Sequence, residues 1–137
     1  MVEQSLVFIK PDGVKRRLIS EIVGRFEKRG FKFLKLELRQ LSNDEVDRHY
    51  QEHVGRDFYP RLKDFILSGP VLIMVLEGER VVDTIRKMVG VTDSLDADPG
   101  TIRGDLALDK GENVIHASDS TESAQREIEN FFGALVH

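Results

Sequence analysis

The order in which hydrophobic periodicity changes along this chain narrows its possible folds more than any other feature. Leu6-Val7-Phe8-Ile9 is an unbroken apolar run, the pattern of a strand covered on both faces. Lys10-Pro11-Asp12-Gly13 ends it. Val14, Leu18, Ile22 and Phe26 then recur every fourth residue with Ile19 and Val23 beside them. That is one face of an amphipathic helix, stopped at Gly30. From Phe31 the period falls to two, with Leu34, Leu36 and Leu38 on one face and Lys35, Glu37 and Arg39 on the other. This predicts a half-buried strand.

Ser42 or Asn43 caps a short helix through His49-Tyr50, and Phe58 to Leu67 reads as another, with Leu62, Phe65 and Ile66 inward. Ser68-Gly69-Pro70 breaks it before a third strand, Val71 to Leu76. Val81, Val82, Ile85, Met88 and Val89 mark a helix that ends at Gly90, and Val91 to Asp105 reads as a long loop. Val114-Ile115 is the fourth strand. Thr121 to Phe132 is the last helix, buried through Ala124, Ile128 and Phe131 and capped by Asp119 with Glu122, or by Ser120. The order is β-α-β, a short helical insertion, then β-α-β-α. It predicts an α+β fold of ferredoxin-like βαββαβ type, a four-stranded antiparallel sheet with helices on one face, in a single domain over residues 1–137.

Composition removes several function classes. The chain has no cysteine, which excludes a disulfide framework, a thiolate zinc site and a cysteine nucleophile. A net charge of −4 argues against a general polyanion binder, though not against a small anion held by local cations. The longest apolar runs are about six residues, against the roughly 20 that span a bilayer. The start lacks a signal-peptide pattern, and the expected location is the cytoplasm, without a membrane.

His116 draws the eye chemically. It follows Val114-Ile115 and precedes Ala117-Ser118-Asp119, where a strand would give way to a helix. Backbone N–H groups and the positive end of a helix dipole gather at such a junction and favour an anion. A neutral imidazole is also a nucleophile that needs little activation. A histidine used simply as a polar strand end is the plain alternative. The P-loop pattern GxxxxGK(S/T), GxGxxG after the first strand and the protein-kinase motifs are all missing. Any phosphate site must therefore be assembled from scattered side chains. Lys10 at the end of the first strand, Arg86 on the third long helix, and Thr92 and Arg103 in the long loop are placed for it, although a single such cation is usually a solvated surface charge.

Four segments carry a resemblance. Asn113-Val114-Ile115-His116-Ala117-Ser118-Asp119 matches the pattern NxxH(G/A)SD, and Lys10-Pro11-Asp12-Gly13-Val14 matches KPDGV. Ser68-Gly69-Pro70-Val71 matches SGPV, and Pro99-Gly100-Thr101-Ile102-Arg103-Gly104-Asp105 matches PGTIRGD. In this order and spacing, the chain from about Ser5 to Phe132 resembles the nucleoside diphosphate kinases. Ala117 stands where glycine is commoner in that family.

The resemblance implies reversible ping-pong transfer of the γ-phosphate of a nucleoside triphosphate, mainly ATP, to a nucleoside diphosphate through a phosphohistidine on His116. Such an activity maintains NTP and dNTP pools. By the same resemblance, Lys10 and Arg103 hold the outer phosphates, Arg86 and Thr92 bind the phosphate chain, and Lys10 and Asn113 meet the ribose hydroxyls. The base stacks on Phe58, with Leu62 lining the slot and Lys110 near it. Glu127 orients the histidine, Tyr50 positions it, and Ser118 supports Glu127. The implied cofactor is Mg²⁺ carried by nucleotide phosphates rather than by direct protein ligands; Glu52 matches a position near that ion, against a plain reading as a solvated helix carboxylate. A homo-oligomer, hexamer or tetramer, is implied. His49, His53 and His137 match no catalytic position and read as surface or structural.

Two other classes compete. A nucleic-acid-binding module on the same fold would carry an RNP1 pattern, which is missing, and no obligatory nucleic acid is expected. A scaffold without kinase activity would not need His116, Lys10, Arg86, Arg103, Asn113 and Glu127 together.

Overall fold

A computed structural model of the chain describes residues 2–134, so His137 lies outside the described residues. The sheet contains β1 (Val2–Ile9), β2 (Lys32–Arg39), β3 (Val71–Glu79) and β4 (Ile115–Ala117) in the order β2-β3-β1-β4. All three pairings are antiparallel. Between and after the strands come α1 (Pro11–Lys15), α2 (Ile19–Arg29), α3 (Asn43–His49), α4 (Tyr59–Leu67), α5 (Val81–Val89), α6 (Ile102–Leu106) and α7 (Thr121–Phe132). This is the ferredoxin-like α+β arrangement, with α3 and α4 as the helical insertion.

Helices cover both faces of the sheet, not the one face that the order of elements predicts. Val7, Ile9, Met74 and Leu76 pack with Ile22 and Phe26 of α2 and with Val81, Ile85 and Val89 of α5. The alternate residues Leu6, Phe8, Ile73 and Val75 pack on the other side with Val46 of α3, Ile66 of α4 and Ile128 and Phe131 of α7. A strand apolar on both faces needs two covering layers, and the insertion and α7 supply the second. That explains why β1 and β3 read as unbroken apolar runs.

Four local expectations are corrected. The single helix from Val14 to Phe26 is two, because Arg17 turns left-handed at φ 62° between α1 and α2. The four-residue spacing survives the break because both pieces pack against the same core. The long loop from Val91 to Asp105 contains the start of α6, capped by the Thr101 hydroxyl, which accepts from the Gly104 N–H. Val114 is not part of β4; its φ is 77°, and the strand begins at Ile115. Finally, Leu34, Leu36 and Leu38 do not share a face: an irregularity between Phe33 and Lys35 puts Leu34 with Val46 and Ile66, while Leu36 and Leu38, on the other side, are 51% and 60% exposed. They lie on the edge strand β2, beyond the cover of α2 and α5.

The helix starts follow their sequence signals. Ser42 forms a reciprocal capping box with Glu45 on α3, and Ser120, not Asp119, caps α7 by accepting from the Ser123 N–H.

Candidate active site

β4 places His116 opposite Phe8 in the antiparallel register with β1. The imidazole stacks on the Phe8 ring with centroids 4.9 Å apart and planes at 28°. Its Nε2 lies 3.0 Å from Oε1 of Glu127. Glu127 comes from α7 and is 6% exposed in its side chain. Ser118, fully buried behind the pair, accepts from the Leu6 N–H at 3.1 Å and donates to the same Glu127 oxygen at 2.7 Å. Burial alone would raise the Glu127 carboxyl, but the charge and hydrogen bond of His116, with Ser118, hold it below its ordinary value. An ionised carboxylate accepts and does not donate, so Nε2 carries the proton and Nδ1 keeps the free lone pair.

The approach to His116 is built by a backbone knot. The Lys10 N–H donates to the Val114 carbonyl at 2.7 Å, and the Val114 N–H donates to Oδ2 of Asp12 at 3.1 Å. Gly13 permits this closeness: a Cβ there would lie 2.6 Å from the Ile9 side chain and 3.1 Å from the Val114 carbonyl oxygen. Asn113, 1% exposed, then ties three segments together. Its Oδ1 accepts from Lys10 Nζ at 2.7 Å, and its Nδ2 donates to the carbonyls of Thr92 at 3.0 Å and Lys110 at 2.9 Å.

Three cations converge around the histidine. Arg103 is buried and donates to the carbonyls of Gly90 at 3.1 Å and Ile115 at 2.7 Å. Arg86 donates to the Ala117 carbonyl at 3.3 Å and pairs with Asp119 at 3.2 Å. Burial, with the charge of Arg103, lowers Lys10 to about 8; burial, with the charge of Arg86, lowers Arg103 to about 10. Mutually repelling cations held in place make a site that a polyanion relieves.

These groups line one cavity of about 880 Å³. Lys10, Tyr50, Phe58, Leu62, Arg86, Thr92, Arg103, Asn113, His116 and Glu127 all reach it, as do Glu52 and Lys110. Ser118 alone of the residues expected at the site stands behind the wall. Phe58 sits at the N-cap of α4 with 52% of its surface exposed, at the rim and beside the His53 ring, with centroids 5.3 Å apart. Burial, then the Glu127 charge, pushes the Tyr50 phenol above its usual range. Glu52 is an exposed carboxylate whose charged neighbour is Arg126, 3.9 Å away.

Three participants are invisible to sequence reasoning. Phe8 looks like plain core until the register puts it under His116. Asp12 belongs to a recognised motif, but its partner, the Val114 N–H, is far along the chain; burial raises its carboxyl. His49, expected to be surface or structural, packs against His116 with centroids 4.5 Å apart and planes at 86°. Burial, followed by the charge of His116, lowers it to about 3, so it is a neutral imidazole at working pH. Glu127, a surface position by helix periodicity, is buried.

Fold and site together define a ferredoxin-like α+β protein whose cavity gathers a histidine–carboxylate pair and three cations from scattered side chains rather than from a glycine-rich loop. The family model for nucleoside diphosphate kinase matches residues 3–135, and the chain belongs to that family. It is 54% identical to the nucleoside diphosphate kinase of Saccharolobus solfataricus over 132 residues, covering 96% of each chain. With that of Sulfolobus acidocaldarius the identity is 53% over 131 residues, covering 96% and 90%. Among solved structures, the apo enzyme of Encephalitozoon cuniculi superposes with a TM-score of 0.95 at 37% identity, covering 98% of this chain and 92% of that one. The Halobacterium salinarum enzyme, solved in complex with CDP, gives 0.94 at 42% identity, covering 100% and 93%.

Proposed function

We propose that the protein transfers the γ-phosphoryl group of a nucleoside triphosphate, mainly ATP, to a nucleoside diphosphate through a phosphohistidine on His116, and so balances NTP and dNTP pools. The hydrogen bond between Nε2 and Glu127 carries this reading, because it leaves Nδ1 as the nucleophile. In the first half-reaction the Nδ1 lone pair attacks the γ-phosphorus. The bond to the bridging oxygen breaks, and its electrons leave with the diphosphate. The imidazole becomes positively charged, and Glu127 pairs with that charge as it forms. In the second half-reaction a terminal oxygen of the acceptor diphosphate attacks phosphorus, the N–P bond breaks, and its electrons return to Nδ1. Neither half needs a proton to move, so positioning and charge neutralisation carry the rate.

Lys10 and Arg103 take the outer phosphates, Arg86 and Thr92 the phosphate chain, and Lys10 with Asn113 the ribose hydroxyls. Ser118 fixes Glu127, and Tyr50 fixes the histidine from the side. Phe58 stacks on the base with Leu62 beside it; stacking tolerates every base, since each has a π-face. Lys110 makes that slot more polar. Among the described residues the cavity's carboxylates do not gather into an oxygen cage; Glu52 turns toward Arg126 and Asp119 toward Arg86. That fits Mg²⁺ arriving on the phosphates, with Glu52 reaching its water shell. When bound, the ion neutralises phosphate charge.

The reading includes a homo-oligomer, a hexamer or tetramer, and a cytoplasmic location. Among the described residues no helix is long and apolar enough to cross a membrane. Purified protein mixed with γ-labelled ATP should take up acid-labile, alkali-stable phosphate and pass it to GDP or dCDP. His116→Ala should abolish both steps. Label that survives this substitution, or appears on serine, sinks the mechanism.

A further inference from the structure

The geometry points to a second ligand for the catalytic corner: a borderline transition-metal ion of the zinc class, bound by His49, His116 and Glu127 in place of the proton that His116 shares with Glu127. One donor atom from each of the three lies within 4.8 Å of the others. Two of these residues already stand at near-bridging distance, with Nε2 of His116 3.0 Å from Oε1 of Glu127. A four-coordinate zinc ion with bonds of about 2.0–2.1 Å spaces its ligands roughly 3.3 Å apart. Nε2 and Oε1 therefore separate only slightly, and the third donor closes by about 1.5 Å at most. His49 has no hydrogen bond to give up in moving: its Nδ1 is buried without a partner. Two imidazoles and a carboxylate, with a fourth position open to cavity water, form a donor set that zinc takes readily. Magnesium, which prefers oxygen, leaves it alone. The displaced proton moves to Nδ1 of His116, so the ring stays neutral.

Occupation of this site inhibits the kinase. With Nε2 on the ion and the proton on Nδ1, the His116 ring has no free lone pair to attack phosphorus, and the ion holds it at a different angle. This consequence rests on the reading of His116 as the phosphorylated residue; ion binding itself does not. Inhibition by this route lowers kcat and leaves the nucleotide KM unchanged, because Lys10, Arg86 and Arg103 remain free.

Cobalt(II) titrated into the nucleotide-free, full-length protein is the test. It should give the strong visible bands of a low-coordinate ion at one per chain, removed by zinc and lost in His49→Phe and Glu127→Gln. With saturating magnesium nucleotide, zinc inhibition of His49→Phe, taken against its own zinc-free rate, should need at least roughly tenfold more zinc than the parent. A weak six-coordinate cobalt spectrum, or equal zinc sensitivity in His49→Phe, overturns the site. Should that variant not fold, the imidazole ¹H–¹⁵N spectrum of the unsubstituted protein decides. Zinc must shift the ring nitrogens of both His49 and His116, and movement of only one, or of neither, overturns it. Cobalt binding is read without nucleotide, so its failure is separate from failure of the phosphohistidine label.

Discussion

Glu127 shows what a single residue must satisfy here. It is ionised yet almost wholly buried, and hydrogen bonds from His116 and Ser118 make that tolerable. In Glu127→Gln the amide keeps the size but not the charge that balances the phosphorylated ring, so kcat should fall by about 10²-fold with little change in KM, as measured by steady-state transfer. Lys10 makes a prediction about pH. Its folded value of about 8 lies below the ordinary 10.5, so between those limits the unfolded chain holds more protons than the folded one. Stability should therefore rise with pH across that window, and thermal melts of Lys10→Met should lack this contribution. Over the same window the free enzyme loses the Lys10 charge proposed to hold phosphate, and kcat/KM should fall from about pH 8 upward. The motifs made His116, Lys10, Arg86 and Arg103 legible as chemistry. Phe8, Asp12 and His49 were not, because each acts only through a neighbour distant in sequence.

Among the elements, the junction of β1 and α1 with the approach to β4 has the least slack. Gly13→Ala would drive a methyl group into Ile9 and the Val114 carbonyl. We expect a loss of about 1–3 kcal/mol in urea unfolding, with a larger drop in activity than in stability, because the same carbonyl receives the Lys10 N–H. The strands and most of the helices could be read from periodicity, and Ser42 and Gly30 mark their ends as capping rules require. The break between α1 and α2 could not, since the left-handed turn falls on Arg17, a residue type that carries no turn signal. Val114 was misleading for a related reason. A β-branched residue belongs in a strand by preference, but the Ile115 N–H donates to the Asn113 carbonyl at 2.9 Å and closes a three-residue turn on Val114, whose own backbone groups bond to Asp12 and Lys10.

At the scale of the molecule, the cover of α2 and α5 stops short of the edge strand β2. Leu36 and Leu38 stand side by side there on the surface of β2. If the protein assembles as proposed, such an apolar strand face is costly to leave in water, and Leu38→Asp should reduce the assembled mass in light scattering while leaving the monomer folded by circular dichroism. The sequence could announce a strand, but not the irregularity after Phe33 that parts Leu34 from Leu36 and Leu38, nor what would cover those two, because that depends on where α2 and α5 end.

The pairing of β4 with β1 has a consequence in time. Ser118 bonds to Leu6 across 112 residues, and Glu127 arrives later still on α7. Contacts so distant in sequence form late, after loop closure has been overcome. During synthesis β1 leaves the ribosome early and waits for the edge that β4 completes, so Leu6 and Phe8 are made long before the residues they pair with. If His116 acts as proposed, a chain cut before α7 lacks the Glu127 carboxylate that fixes the ring and should take up little label from γ-labelled ATP.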